Sequence, residues 1–139
     1  MDKDLQNKLF TKYPEIFQND TTRALASPRI WGIECQNGWY ELINQLCSDI
    51  MLSNPAKIPV ATQVKEKYGQ LCFYISGSST DEIENLITKA ERDSLTICEV
   101  CGNEGKLRMT SRGWHKTVCT KHAKELNISH VVDYEFKNR

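Results

Sequence analysis

The side chains most suited to chemistry in this sequence are two pairs of metal-ligand residues in its last third. Cys98 and Cys101 form a C-x-x-C pair, and Cys119 and His122 form a C-x-x-H pair. Zinc favours four tetrahedral sulfur and nitrogen ligands, and a spacing of two residues places each pair on one turn of backbone. The sequence therefore predicts one zinc ion bound by these four side chains.

The predicted zinc site is structural. Four protein ligands close the coordination shell, so no position is left for a water molecule that could act as a nucleophile. His115 is the alternative fourth ligand, but only His122 keeps the two-residue spacing after Cys119. A hairpin predicted within residues 106–118 and a helix over residues 120–126 complete an order that is typical of a treble-clef lobe.

Enzymatic function is the minority interpretation. Treble-clef scaffolds also host metal-dependent nucleases, which need a His/Asn/His constellation or carboxylates at an open metal site. Residues 102–120 contain one histidine, His115, and no aspartate. Beyond the zinc ligands, only His115 and His130 remain for acid–base work, and neither has an obvious partner. The sequence favours a binding protein, and a metal nuclease is the least favoured alternative.

Aromatic and basic side chains occur together in three places, and this combination can hold a nucleotide base and its phosphate. The candidate ligand-binding residues are Arg29, Trp31, Trp39 and Tyr40; Lys65, Lys67 and Tyr68; and Arg108, Arg112, Trp114 and Lys116. Core packing is the stronger interpretation of the first group, since tryptophans in a short chain usually anchor the core. A solvated hairpin tip is the stronger interpretation of the second.

The third group belongs to a locally basic segment. Between Cys98 and Lys124 basic side chains outnumber acidic ones. This excess predicts an attraction for phosphate and leaves nucleic-acid binding open. The alternative is that lysine and arginine keep a small zinc lobe in solution, and the two interpretations weigh evenly.

Length and composition limit the possible domain organisation and function. The chain has 139 residues, 40% of them hydrophobic, which suits one compact core with a small appended lobe. Its formal net charge of 0 argues against a globally basic nucleic-acid coat. Neither a membrane-spanning apolar run nor a signal-peptide core is visible, so we expect a cytoplasmic protein without membrane contact. Cys35, Cys47 and Cys72 lie on apolar stretches and are predicted to be buried free thiols.

The elements that must position these side chains indicate a small mixed α+β domain. A strand is predicted over residues 29–35. Residues 60–75 predict a hairpin that turns near Tyr68, although a helix ending at Gly69 and leading into a single strand also fits. Ser79 is the predicted N-cap of a capping box with Glu82. The remaining predictions are helices over residues 4–12, 39–52 and 80–94 and a loop over residues 18–28.

The predicted domain organisation has three parts. Residues 1–95 form the α+β body, residues 96–126 form the treble-clef-like zinc lobe, and residues 127–139 form a tail that packs on the body. Residues 129–136 either add a strand or only pack. The sequence leaves open a homo-oligomer with a pocket between subunits.

Three sequence motifs outside the zinc ligands carry a resemblance. They are residues 9–14, residues 31–43 with Gly38-Trp39-Tyr40, and residues 64–74 with Lys65-Glu66-Lys67-Tyr68-Gly69; residues 98–102 and Gly113-Trp114 complete the pattern. Over nearly its full length the chain resembles uncharacterised small zinc-binding proteins of tailed bacteriophages. That family's pattern has an arginine where this chain has Cys72, so a contact made by the arginine would be absent here.

The resemblance implies a phage accessory protein in the cytoplasm of the bacterial host cell. Small phage accessory proteins without catalytic motifs often bind and neutralise host machinery. The expected function is therefore counter-defence by sequestering a nucleotide immune signal or inhibiting a host defence protein. A nucleic-acid-binding accessory factor that uses the basic zinc lobe is the alternative.

Overall fold

The computed structural model of the protein describes residues 1–18, 27–77, 79–128 and 130–132, which form a mixed α+β fold with two small antiparallel sheets. In chain order the elements are helices α1 (Lys3–Lys12), α2 (Pro28–Trp31) and α3 (Tyr40–Leu52), strands β1 (Ala61–Lys67) and β2 (Gln70–Ile75), helix α4 (Asp81–Asp93), strands β3 (Lys106–Met109) and β4 (His115–Val118), helix α5 (Thr120–Glu125) and strand β5 (His130–Val131). The α+β prediction is confirmed.

Strands β1 and β2 form the predicted hairpin. Lys67 pairs with Gln70, so the turn contains only Tyr68 and Gly69. Their φ angles of 52° and 80° are both positive, as a type I′ hairpin turn requires. The alternative of a helix that ends at Gly69 is wrong.

Helix α4 covers the outer edge of β2. The Leu71 amide donates to the Ser94 hydroxyl at 2.9 Å, and the Phe73 amide donates to the Glu91 carboxylate at 3.0 Å. The amides with which a further strand would otherwise pair are therefore satisfied, which removes an exposed edge. The helix begins with Thr80 as N-cap, whose side chain accepts from the Ile83 amide. The prediction that Ser79 is the N-cap is wrong by one residue.

The strand predicted over residues 29–35 is also wrong. Ser27 accepts a hydrogen bond from the Arg29 amide and Pro28 occupies the first turn, so a short helix, α2, begins here. Only Glu34 pairs beside β1, where its amide donates to the Val64 carbonyl at 2.9 Å.

The core lies between the helices and the inner face of the first hairpin. Its largest fully buried side chains include Leu9, Ile16, Phe17, Trp39, Ile43, Ile50, Val64 and Leu71. Trp39 is 0% exposed, and its indole N–H donates to the Ile97 carbonyl at 2.8 Å. The prediction that Trp39 contacts a ligand is therefore wrong, and its alternative, core packing, is confirmed.

The second sheet has the order β4-β3-β5. The described part of the C-terminal segment adds a strand here, Val131 opposite Arg108 and His130 opposite Met109, which is one of the two alternatives that the sequence left open; it pairs with the zinc-lobe hairpin, whereas the predicted tail packs on the body. Residues 133–139, and residues 19–26 of the loop predicted over residues 18–28, lie outside the described residues. None of the helices that the structure describes is both long and apolar enough to cross a bilayer.

Candidate metal centre and hairpin cleft

The four predicted ligands converge on one point. Cys98 and Cys101 lie on a turn before β3, while Cys119 is the N-cap of α5 and His122 lies in its first turn. The four ligand atoms all lie within 4.8 Å of one another. His122 Nδ1 is 3.6 Å from the Cys98 sulfur and 3.2 Å from the Cys119 sulfur, and the Cys101 and Cys119 sulfurs are 3.8 Å apart. These residues could hold a metal ion.

Backbone geometry prepares the Cys119 thiol for this role. The His122 amide points at the Cys119 sulfur at 3.5 Å, and this hydrogen bond is the main cause that lowers the pKa of Cys119 to about 6. The Cys98 carbonyl accepts from the Gly102 amide at 2.9 Å, which closes the turn around the first pair. Because metals bind the thiolate form, a lowered thiol pKa favours metal binding at neutral pH.

The imidazole of His122 is oriented for coordination. Its Nδ1 faces the thiols, while Nε2 lies 3.7 Å from a Glu125 carboxylate oxygen. A ligating histidine commonly has such a carboxylate beside its second nitrogen. His115, the alternative fourth ligand, lies outside this cluster, whereas His122 lies within it.

Glu99 anchors the first ligand pair to the rest of the fold. This residue is only 2% exposed, and its carboxylate contacts the Lys116 ammonium at 3.3 Å and the Gln36 amide at 3.1 Å. Its own carbonyl accepts from the Gly38 amide at 2.7 Å. Sequence reasoning missed Glu99, although a carboxylate placed between two metal-binding cysteines is an available signal.

The tip of the first hairpin also meets the strands of the second hairpin. The Thr117 hydroxyl donates to the Gly69 carbonyl at 2.7 Å, and both groups are buried. A Cβ atom on residue 69 would lie 2.5 Å from a Leu107 methyl group, and the φ of 80° is one that residues with side chains rarely adopt, so this position favours glycine. The contact brings Tyr68, next to Gly69, against the β3–β4 hairpin.

A cleft of about 340 Å³ lies between the two tips. Its lining includes Glu66, Lys67, Tyr68, Arg112, Trp114 and His115. Tyr68 and Trp114 are 73% and 70% exposed, which is unusual for rings of this size. The structure thus brings together four of the predicted ligand-binding residues.

Within the cleft, cationic and aromatic groups are close neighbours. The Lys67 ammonium lies 5.9 Å from the centre of the Tyr68 ring, and the His115 ring meets the Tyr68 ring edge-on at 6.4 Å. His115 Nδ1 is buried and has no hydrogen-bond partner among the residues that the structure describes. Glu66 accepts from the Gly69 amide and lies 3.8 Å from Lys116, which offsets its negative charge.

The first predicted group does not form one ligand surface. Arg29 lies over the Phe10 ring and donates to the carbonyls of Phe10 and Phe17. Trp31 is 60% exposed on α2, whereas Tyr40 is half-buried beside α1.

Three other predicted ligand-binding residues also lie outside the lining of the cleft. Lys116 is engaged by Glu66 and Glu99, and the Arg108 guanidinium donates to the Val118 carbonyl at 3.2 Å. Lys65 lies on β1 opposite Cys72. The basic surface that the sequence predicts for the zinc lobe is therefore partly used inside the fold.

The three remaining cysteines are free thiols. Burial raises the pKa of Cys35 to about 12 and also raises the pKa of Cys47, because a low-dielectric surrounding disfavours the thiolate. The buried-thiol prediction is confirmed for both. Cys72 is only half-buried, so for this residue the prediction is wrong.

The comparisons with known proteins gave no relative. A scan of the chain against protein-family models found no matching family, and searches of curated proteins and of solved structures found no significant match.

Proposed function

We propose that this protein is a non-enzymatic binding protein in which a structural zinc ion fixes a treble-clef-like lobe, and that the cleft between the hairpin tips binds a phosphate-bearing nucleotide. Three thiolates and one imidazole are a ligand set that suits zinc, and they fill all four tetrahedral positions. The metal thus serves the fold, and binding falls to the surfaces that it positions.

The observation that carries the proposal is the conformation of Tyr68. Its φ of 52° lies in the left-handed region. A bulky side chain there costs about 1–2 kcal/mol, whereas asparagine or glycine tolerates this turn position. The ring recovers little of this cost by burial, since it is 73% exposed. Backbone strain of this kind collects at ligand-binding sites.

The chemistry around Tyr68 selects the ligand. Two exposed rings, Tyr68 and Trp114, offer π faces on which a base can stack. Lys67 and Arg112 supply cations for a phosphate beside it. The cleft volume of about 340 Å³ lies within the range of small-molecule sites.

The biological setting of the proposal comes from the sequence resemblance. In a phage accessory protein that acts in the bacterial cytoplasm, a bound nucleotide would be a host immune signal, and binding would withdraw it from its receptor. The protein would then act in counter-defence. Inhibition of a host defence protein through the same exposed rings is the alternative partner.

Nucleic-acid binding by the basic lobe is less well supported. Of the basic residues in this lobe, Lys116 and Arg108 already bind groups inside the fold. The two functions differ in salt dependence. A nucleic acid that makes many phosphate contacts loses affinity steeply as the salt concentration rises, whereas a ligand with a single phosphate contact loses little.

Two cleft variants and a matched control test the proposal. Calorimetric titration with the common nucleoside mono- and triphosphates should find a ligand for the zinc-loaded wild type. Tyr68→Asn should abolish that binding while it raises the melting temperature, because asparagine relieves the turn. Trp114→Ala should also lose binding, whereas Trp31→Ala, which removes an exposed tryptophan outside the cleft lining, should retain it.

The combination of lost binding and gained stability cannot arise from misfolding. If no nucleotide binds the wild type, or if Tyr68→Asn and Trp114→Ala bind as well as Trp31→Ala, the proposal is wrong.

A further inference from the structure

A second cleft adjoins the first at Tyr68. Its volume is about 510 Å³, and of the described residues it shares only Lys67 and Tyr68 with the lining of the cleft between the hairpin tips. The Tyr68 ring and the Lys67 side chain therefore stand where the two clefts meet. One ligand could contact both clefts only by passing these two residues.

The second cleft has the character of a base site. Its lining includes Leu71, Leu95 and Leu107, which are almost fully buried, and Tyr74, whose ring is 42% exposed. An exposed ring offers a face on which a base of any identity can stack.

Charge separates the roles of the two clefts. The second cleft contains the carboxylate of Glu91, and its lining among the described residues includes no cation besides the shared Lys67. Of the charged groups in this lining, Lys67 is therefore the one that can attract a phosphate. The first cleft adds Arg112 on its own side. The shared cation, Lys67, thus lies between two clefts that can each hold a base.

We propose that the ligand is a dinucleotide, with one base in each cleft, the Tyr68 ring between them and the linking phosphate at Lys67. This inference rests on the proposed function and names the ligand class of the same site. In this arrangement the exposed Tyr68 ring, which lines both clefts, separates the two bases.

The test compares ligands that differ in the number of bases. Calorimetric titrations of zinc-loaded protein would use the four homodinucleotides ApA, GpG, CpC and UpU and the four matching nucleoside monophosphates. For the preferred base, the dinucleotide should bind about tenfold or more tightly than the monophosphate, since a second stacked base contributes this much. Equal affinity of the two ligands would overturn the inference and leave the proposed function standing. Failure of every nucleotide to bind would overturn both.

A variant of the second cleft makes the test specific. Tyr74→Ala should reduce the affinity for the dinucleotide to that for the monophosphate and leave monophosphate binding unchanged, whereas Tyr74→Phe should keep the wild-type affinities. If Tyr74→Ala weakens both ligands equally, or neither, the second base site is wrong. The wild-type comparison stands independently should Tyr74→Ala fold poorly.

A single strand contains the same dinucleotide unit, so a further arm separates the two sources. A homopolymeric strand of about ten nucleotides offers more backbone phosphates but fills the same two clefts. Several overlapping dinucleotide units let the strand bind more tightly than the dinucleotide by a statistical factor alone. An affinity within this factor, with a weak dependence on salt, supports a free dinucleotide as the ligand. Much tighter binding with a steep salt slope would overturn it in favour of nucleic acid.

Discussion

The carboxylate of Glu99, a residue between the metal-ligand candidates Cys98 and Cys101, and the ammonium of Lys116 lie 3.3 Å apart, although Glu99 is almost fully buried. Lys116 also lies 3.8 Å from Glu66, beside the turn of the first hairpin. One lysine therefore connects the turn that holds Cys98 and Cys101 with the hairpin that presents Tyr68. The contacts of Lys116 thus connect the metal centre with the cleft.

Removal of this lysine should destabilise the protein strongly. Lys116→Met leaves the Glu99 carboxylate buried without its cation, and breaking a buried pair in this way costs about 3–5 kcal/mol. The Lys116 side chain is 28% exposed, which places the effect at the lower end of that range. We expect a loss of about 3 kcal/mol in urea unfolding of the zinc-loaded protein.

A double variant separates charge burial from packing. Glu99→Gln with Lys116→Met removes both charges and should be more stable than Lys116→Met alone. Lys106→Met, which changes an exposed lysine on β3, should be nearly neutral. A double variant less stable than Lys116→Met would show that the ion pair is not the cause.

The turn that contains Glu99 also packs closely against Gly38 of the α+β body. A Cβ atom on residue 38 would lie 2.5 Å from the Glu99 carbonyl oxygen and closer still to that of Cys98. Gly38→Ala should therefore push the first ligand pair away, lower the unfolding free energy by about 1–3 kcal/mol and weaken zinc binding.

Competition with a chromogenic zinc chelator would measure this loss of affinity. Gln36→Ala is the matched control, because Gln36 contacts Glu99 through its backbone amide, which alanine retains. Unchanged zinc affinity in Gly38→Ala would contradict the coupling of the body to the metal centre.

Local spacing made the metal centre predictable, since both ligand pairs are read from adjacent residues. The hairpin was predictable for the same reason, from strand-forming residues on either side of Tyr68 and Gly69. The strand over residues 29–35 was wrong because a short run of apolar residues suits either a helix or a strand, and the helix start at Ser27-Pro28 received too little weight. Local signals thus determined most elements of the fold.

The cleft could be predicted only in part, because composition does not distinguish buried from exposed tryptophans. Trp39 is in the core because its indole reaches Ile97, while Trp114 is exposed at the tip of a hairpin. Both facts depend on contacts between residues far apart in sequence. The same is true of Lys116, whose partners Glu66 and Glu99 come from different parts of the chain.

If His122 is the fourth metal ligand, its replacement should weaken zinc binding. The purified protein should hold one zinc ion per chain, and His122→Ala should lose most of its affinity because the shell is left open. Zinc binding is worth about 10–16 kcal/mol in small zinc fingers, so a strong chelator should lower the melting temperature sharply.

Metal content by mass spectrometry and thermal melts with and without chelator would measure both effects. His115→Ala should retain the metal, because His115 lies at the cleft and outside the ligand cluster. Zinc loss in His115→Ala but not in His122→Ala would reverse the assignment.

The buried thiol of Cys35 predicts a loss of stability at alkaline pH. Burial, with a further contribution from the Glu99 carboxylate, raises the pKa of Cys35 from 9.0 to about 12. Between these values the thiol is ionised in the unfolded chain but protonated in the folded one, so the folded state binds more protons and the unfolding free energy falls as pH rises. The contribution of Cys35 is fully present below pH 9.0 and is lost toward about pH 12.

Urea unfolding of the wild type and Cys35→Ala between about pH 8 and about pH 10.5 would measure this contribution. At the lower pH the variant should be less stable, because alanine leaves a small cavity. The gap should then narrow by up to about 1.4 kcal/mol per pH unit above the unfolded pKa, since only the wild type loses the Cys35 contribution. Other titrating groups are common to both proteins and cancel in the difference. A gap that stays constant over this range would mean that Cys35 ionises as readily in the folded protein as in the unfolded chain.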